Sequence, residues 1–552
     1  MVSPAVRAEF GDYQANGVMP AAKAMNANPR ELAAKVLAAA DLSDLAEKTE
    51  VAGAGFINIT LRSDWLANRA AAMLSDDRLG VEKPTMPQTV VVDYSGPNLA
   101  KEMHVGHLRS TIIGDALARV LEFTGHNVIR QNHVGDWGTQ FGMLIAYMDR
   151  VREHGSTEDL TRELADLEEL YRRAKELFDR DPDFARISRK NVVKLQSGDE
   201  NCRTRWLKYT VVSLLHCEKV YDRLGVLLTT RDVRGESEYK ADLKGVVDAL
   251  RDAGLLRESE AAQCVFLPEF KDKDGETLPL IVQKSDEGYL YATTDLAAIR
   301  YRVGTLKADR ILYVTDSRQA LHFQQVFAVA RAAGFAPGGV SLEHVAFGMM
   351  LGGDGRPFRT RQGGTVKLME LLDEAEGRAF ALVSEKNPQL SEDLRRQIAR
   401  AVGIGAVKYA DLSQNRTSDY VFSWDKMLSL DGNTAPYMQY AYARIRSIFR
   451  RGGSDRAAAG QIIIADPAER ALALKLVGFP EVMATVASEC LPNLLCAYLY
   501  DLAGRFMGFY ENCPVLQSQE PLRSSRLRLC ELTARTIRTG LDLVGIDTIE
   551  QM

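Results

Sequence analysis

The stretch TVVVDYSGPNLAKEMHVGH, residues 89–107, decides the reading of this chain. Its first six residues, Thr89-Val90-Val91-Val92-Asp93-Tyr94, are β-branched and apolar enough to predict a buried strand. Gly96, Pro97 and Asn98 predict a loop. The tetrad His104-Val105-Gly106-His107 then opens a predicted helix. In open α/β sheets the passage from strand end to helix start is the ligand crevice. The helix N-terminus offers free N–H groups and a positive dipole end, which suits phosphate. Gly106 lets a ligand approach the backbone, and His104 and His107 can donate hydrogen bonds to phosphate oxygens as charge develops there. This is chemistry for attack on the α-phosphate of ATP with pyrophosphate leaving. A solvated histidine pair beside a glycine turn is the plainer alternative. The strand before the tetrad and the helix after it favour the nucleotide.

Around this core the chain is ordinary in bulk. It has 552 residues, 46% of them hydrophobic and 26% charged. That is length for three or four domains, each with its own core. No continuous run of about 18 apolar residues exists, so no membrane span is expected. The N-terminus lacks the apolar core of a signal peptide. Seven cysteines are scattered without a CxxC pair, which predicts neither a zinc ribbon nor a disulfide framework and fits a reducing cytoplasm. A net charge of −5 argues mildly against a nucleic-acid coat protein but leaves room for a local basic face.

Patterning predicts α/β architecture. Residues 1–82 form a small α+β unit, with a helix over 29–40 and a strand over 55–60. Residues 83–430 carry a Rossmann-type parallel sheet split by an insertion over about 155–265. The insertion reads as helical over 158–226, with an acidic run over 158–176. Short strands follow over 262–292, around turns at 273–275 and 286–288. Then come a helix after Thr294, a strand over 310–314, a helix over 318–333 and a strand over 343–348. From Lys367 onward the pattern is almost entirely helical, with a boundary near Ser429 and an all-α domain over 431–552.

Longer strings carry a resemblance. SGPNLAKEMHVGHLRST (95–111) and NHVGDWGTQFG (132–142) closely resemble the signature of class I aminoacyl-tRNA synthetases of the arginyl, bacterial type. The likeness continues through 289–302, 313–325, 347–368, 402–416 and 433–445, nearly the whole chain. It implies ligation of L-arginine to tRNA through an arginyl-adenylate, with ATP as substrate, magnesium arriving with ATP and no built metal site. It implies that His104, His107 and Lys101 serve catalysis. Asp93, Ser95, Asn98, Tyr291, Asp295 and Gln319 would hold the amino acid. Gly106, Gly348, Met349, Met350, Arg359 and Arg361 would meet ATP. An arginine ligand brings a planar cation with five donors, which calls for carboxylates placed for paired hydrogen bonds. Asp93 and Asp295 read equally as caps at strand or helix ends.

The second nucleotide signature of the class, KMSKS, aligns with Pro357-Phe358-Arg359-Thr360-Arg361, so proline replaces the first lysine. The resemblance offers Lys101 as the substitute cation. In the 132–138 string, His133 and Asp136 read as a capping pair or as site residues, with ribose or 3′-adenosine contact. The family's N-terminal appendage usually has a further helix before the segment that stands here at 11–17. The C-terminal domain resembles an anticodon-binding domain, its hallmark box aligning at 497–502. Tyr437, Tyr440, Tyr442 and Phe449 interleave with arginines there, and aromatics of this kind stack single-stranded bases or pack as core. Arg444, Arg446, Arg450 and Arg451, and Arg523, Arg526, Arg528, Arg535 and Arg538, are either RNA-facing or solvated. The expected setting is a cytoplasmic monomer without membrane contact. A small-molecule adenylyltransferase would be shorter and lack the helical tail. A silent RNA-binding paralogue fits poorly with intact His104, His107, Asp295 and Gln319.

Overall fold

The structure, a computed structural model, describes residues 2–154, 167–285, 288–359, 366–454, 457 and 460–551. The N-terminal unit is a four-stranded antiparallel sheet. Strands β1 (Val2–Pro4), β2 (Tyr13–Ala15), β3 (Ala46–Ala52) and β4 (Phe56–Leu61) lie in the order β1-β2-β4-β3. Helices α1 (Val18–Ala24) and α2 (Pro29–Ala39) lie between β2 and β3. Asn28 caps α2 through its side chain, and Pro29 fills its first turn, where a missing N–H costs nothing. Helix α3 (Ser63–Ser75) leads out of the unit.

The central sheet contains β5 (Thr89–Asp93), β6 (Asn127–Gln131), β10 (Arg310–Tyr313) and β11 (Ser341–His344), all parallel, in the order β11-β10-β5-β6. Helix α4 (Val105–Phe123) joins β5 to β6. Val90 and Val92 enter one core and Val91 the other. Both faces of β5 are therefore covered, as a continuous apolar run in a parallel sheet requires. The chain leaves β5 toward β6 on one side and returns to β10 on the other. That reversal places the topological switch point at the carboxyl ends of β5 and β10.

Between β6 and β10 lie α5 (Thr139–His154), α6 (Leu167–Arg180), α7 (Pro182–Ser197), α8 (Glu200–Leu224) and α9 (Lys240–Asp252). An antiparallel sheet of β7 (Leu256–Ser259), β8 (Ala262–Lys271) and β9 (Thr277–Gln283) follows. The expected end of the insertion, about residue 265, thus falls inside β8. The expected acidic run over 158–176 lies partly outside the described residues, as does the turn at 286–288.

Helix α10 (Tyr291–Gly304) starts ahead of the position after Thr294 that the pattern suggested, and Leu290 occupies its N-cap. After β10 a short turn, 317–319, precedes α11 (Ala320–Ala332). Strand β11 ends at His344 rather than near 348, because its partner β10 ends opposite at Tyr313. The chain then leaves the ladder, with Ser317 N–H donating to Phe347 O and Gly348 N–H to Arg416 O. Residues 350–351 form β12 (Met350–Leu351), which pairs with β13 (Tyr420–Val421). That return strand interrupts the expected helical run of α12 (Leu368–Lys386) and α13 (Glu392–Leu412).

The C-terminal bundle follows the short α14 (Trp424–Met427). It holds α15 (Ala435–Arg451), α16 (Pro467–Val477), α17 (Phe479–Glu489), α18 (Pro492–Asn512) and α19 (Leu522–Leu543). The stretch 467–489 is long and apolar enough to cross a membrane by length and composition alone, although charged residues interrupt it. It is two helices meeting at Gly478, and it packs against α3, α4, α18 and α19. The bundle also grips the N-terminal unit. Arg470 reaches Asp12 at 2.6 Å, Glu481 accepts from Tyr13 at 2.8 Å, and Arg535 donates to the Leu74 and Asp76 carbonyls.

Candidate functional site

A cleft of about 910 Å³ opens at the switch point. Asp93, Ser95, Asn98, His104, Gly106, His107, Tyr291, Asp295, Gln319, Gly348, Met349, Met350 and Arg359 all line it. Thirteen of the fifteen residues expected from the sequence are therefore brought together. Lys101 is not in the lining; its ammonium stands 4.4 Å from the Tyr171 ring centroid. Arg361 lies outside the described residues.

The two histidines are bound to the backbone of their own helix start. His104 Nδ1 accepts from Gly106 N–H at 3.0 Å, and His107 Nδ1 accepts from His104 N–H at 3.1 Å. Together they make a capping box that satisfies two donors the helix leaves open. With Nδ1 accepting, each neutral ring must carry its proton on Nε2. Burial, then the other imidazole and Lys101, push His107 down to about 3; burial and Lys101 lower His104 as well. Lys101 thus acts on both rings through its field. A Cβ at residue 106 would stand 2.7 Å from His104 Cε1, so the imidazole itself demands glycine there. Lys367 ties this corner down: it pairs with Glu102 at 3.0 Å, and Val105 N–H donates to Val366 O and Leu368 N–H to Met103 O.

Of the four carboxyls that line the cleft, Asp316 is spent on Arg318 at 2.7 Å, and the other three have different fates. Asp93 Oδ2 accepts from Arg302 Nη2 at 2.6 Å, and Arg302 is fully buried with its Nε on Gln131 at 2.6 Å. That charge is already neutralised inside the protein, so the expectation that Asp93 answers a ligand's cation does not follow from its geometry. Asp295 is not a cap: no side chain caps α10, and Asp295 Oδ2 meets His322 Nε2 at 2.6 Å. Glu236, which sequence reading missed, donates its N–H to Val134 O at 3.1 Å, while its carboxyl has no hydrogen-bond or ion-pair partner among the described residues. Burial, then Asp136 and Asp295, raise its carboxyl to about 8.

Asp136 resolves as a cap. It accepts from Ser237 N–H at 2.9 Å and from Ser237 Oγ at 2.6 Å, which fixes the turn Glu236–Tyr239. His133 lines the cleft and stacks on Tyr239 at 5.4 Å. A Glu in a short turn after four helices carries no local signal; the Asp136–Ser237 contact and the bond from Glu236 N–H to Val134 O bring it here. Ser95 spends its hydroxyl inward, 2.7 Å from Tyr221 Oη, while its N–H donates to Ser110 Oγ.

The opposite wall is the 348–350 loop. Met349 N–H donates to Asp419 Oδ1 at 2.6 Å, and a Cβ at Gly348 would stand 2.6 Å from that oxygen. Arg109, two residues past His107, pairs with buried Asp411 at 3.0 Å and donates to Ser418 O at 3.1 Å. The histidine helix and this loop are thereby held to the same 418–419 segment. Among the described residues no group of three or more His, Cys, Asp or Glu could hold a metal ion.

Comparison with known proteins shows the family. The model of class I tRNA synthetases (R), catalytic domain, matches residues 69–424. The DALR anticodon binding domain matches 438–552 and the arginyl tRNA synthetase N terminal domain 1–61. The arginine–tRNA ligase of Hahella chejuensis is 59% identical over 553 residues, covering 100% of this chain and 96% of that protein. That of Laribacter hongkongensis is 58% identical with the same coverage. Among solved structures, Plasmodium falciparum arginyl-tRNA synthetase is similar with a TM-score of 0.84 at 32% identity, covering 100% of this chain and 95% of that one. The Thermus thermophilus enzyme has a TM-score of 0.85 at 28% identity, with 100% and 96% covered.

Proposed function

This chain belongs to the arginyl-tRNA synthetase family and charges tRNA with arginine, and from that premise we propose how its cleft does so. Arginine binds with its guanidinium between Asp295 and Glu236. The single observation that carries this reading is a pair of cleft carboxyls, one free of internal partners and one touched only by a histidine. Unpaired buried carboxyls are costly without a cation. Asn98, Tyr291 and Gln319 hold the rest of the amino acid, and Asp93 with Arg302 supports the floor. Ser95 shapes the turn after β5 from its left-handed backbone, φ 70°.

The arginine carboxylate attacks the α-phosphorus of ATP, the bond to the β-phosphate oxygen breaks, and pyrophosphate leaves. The 2′-hydroxyl of the tRNA terminus then attacks the arginyl carbonyl and AMP departs. No side chain needs to become covalently attached. The Nε2–H groups of His104 and His107 donate to phosphate oxygens as charge gathers there. Gly106, Gly348, Met349, Met350 and Arg359 receive the nucleotide, and Arg361 and Lys101 add positive charge where Pro357 leaves a lysine missing. Magnesium enters with ATP, since triphosphate oxygens and water supply its ligands. We take the enzyme to act as a monomer. We place it in the cytoplasm, where its buried, unpaired cysteines fit a reducing milieu. Residues 1–82, 83–430 and 431–552 are the working units.

Steady-state charging tests the assignment. Asp295→Asn keeps shape and removes charge, so arginine affinity falls by about 2–5 kcal/mol. Wild type rejects citrulline, which is neutral at that end. Unchanged arginine affinity in Asp295→Asn returns the residue to a structural role.

A further inference from the structure

We propose that His322 is a positioning residue for arginine, setting the Asp295 carboxylate in the orientation that receives the guanidinium. The inference rests on the reading of Asp295 given above and goes beyond it by naming what aims that carboxylate.

Asp295 stands in the first turns of α10, and His322 in the first turn of α11, one turn beyond Gln319. His322, Gln319 and Asp295 all line the cleft. The 2.6 Å contact from His322 Nε2 engages Oδ2 alone. Oδ1 has no hydrogen-bond partner among the described residues. An aspartate on a helix surface has free rotation about its terminal bond. A single charge-assisted hydrogen bond to one oxygen removes that freedom and leaves the other oxygen in one place. Both groups are mostly covered, with side-chain exposures of 17% for Asp295 and 30% for His322, so water does not replace the contact cheaply.

The imidazole is itself held. Its ring meets Phe323 edge-on at 5.2 Å, and Phe323 is wedged against Tyr313 at 4.9 Å and His344 at 5.0 Å. Tyr313 ends β10, so the chain of contacts runs from the central sheet to the Asp295 oxygen. Asp93 needs no such device, because fully buried Arg302 clamps it. Glu236 has none, whereas Asp295 is fixed through Oδ2 and keeps Oδ1 to accept.

A guanidinium with five planar donors rewards fixed acceptors. Losing the fixing bond leaves binding chemistry intact but adds disorder at the acceptor, so the loss falls on arginine and not on ATP.

The test is aminoacylation kinetics on the full-length enzyme with tRNA. His322→Ala raises the KM for arginine roughly 10-fold, the scale of one hydrogen bond to a charged group, with kcat and the KM for ATP within about 2-fold. His322→Gln keeps a donor and recovers most of the loss. In the double variant with Asp295→Asn, the two effects do not add, as expected of residues acting through one contact. Additive effects, or a wild-type KM for arginine in folded His322→Ala and His322→Gln, overturn the proposal. If Asp295→Asn alone leaves arginine binding unchanged, the reading of Asp295 fails and takes the proposal with it. If Asp295→Asn is impaired and His322→Ala is not, only the proposal fails. Should His322→Ala not fold, the His322→Gln and His322→Asn pair carries the comparison.

Discussion

In the cleft, the Glu236 carboxyl and one oxygen of Asp295 are left without an internal partner among the described residues. In the C-terminal bundle, arginines that looked like an RNA face turn their charge inward. Arg526 is buried on Glu469 at 2.7 Å. Arg535 staples the bundle to the end of α3 through two carbonyls. Arg446 meets Glu550 at 2.8 Å, Arg450 donates to the Glu550 carbonyl, and Arg444 lies 4.7 Å from the Tyr510 ring centroid. Density of charge alone does not mark a binding site. Charge without an internal partner does, because burying it costs free energy that only a ligand returns. By that rule the cleft is the site, and within the two arginine clusters exposed Arg451 and Arg538 are better RNA candidates than Arg526 or Arg535. Tyr442 and Phe449 are buried as core, while Tyr500, facing Tyr437 at 5.8 Å, is 41% exposed.

The contrast breaks first at Arg526. Arg526→Ala leaves Glu469 buried and unpaired, which costs about 3–5 kcal/mol of stability. Denaturant unfolding checks it, and charging per folded molecule stays close to wild type. A functional loss without a stability loss would move Arg526 from scaffold to RNA contact.

The cleft side answers next. His107→Ala should lower kcat by roughly 100- to 1000-fold and change the KM for ATP little, since its Nε2–H serves developing charge. Near-normal turnover would reduce the tetrad to a capping box. Because His107 titrates only at about 3, no loss of kcat between pH 5 and 8 is expected from its protonation.

Lys101 sits between the two cases. It misses the cleft lining yet depresses both imidazoles. Lys101→Ala should slow ATP–pyrophosphate exchange by about 10-fold, a shift of roughly 1.4 kcal/mol, with tRNA present. With Pro357 in place of a lysine, wild-type exchange should itself depend on tRNA. Strong exchange in RNA-free enzyme would contradict that dependence. The smallest effect belongs to Arg538→Ala, about 1 kcal/mol or less as a rise in the KM for tRNA, weakening with salt.

Much of this was legible in advance because it is local. The valine run from Val90 to Val92 and the HVGH tetrad declare strand, crevice and helix start within a few residues. What stayed hidden is set by long-range pairing. Nothing near Asp93 announces Arg302, 209 residues away. Glu236 reaches the cleft because its N–H bonds to Val134 O and because Asp136, 101 residues before Ser237, fixes that neighbour. Strand β13 exists only as the partner of β12, and the antiparallel sheet of the N-terminal unit was half invisible because β1 and β2 are three residues each.

The central claim is that Glu236 waits for a cation, and its proton reports on that directly. Raised to about 8 by burial and by Asp136 and Asp295, the carboxyl is mostly protonated at pH 7. A guanidinium beside it favours the ionised form, so arginine binding must release a proton, and affinity must rise with pH up to about 8 before levelling. Titration calorimetry of arginine at pH 7, in two buffers of different ionisation enthalpy, measures that proton. The account predicts net release in wild type and its loss in Glu236→Gln. Binding without proton release, or release unchanged in Glu236→Gln, would contradict it.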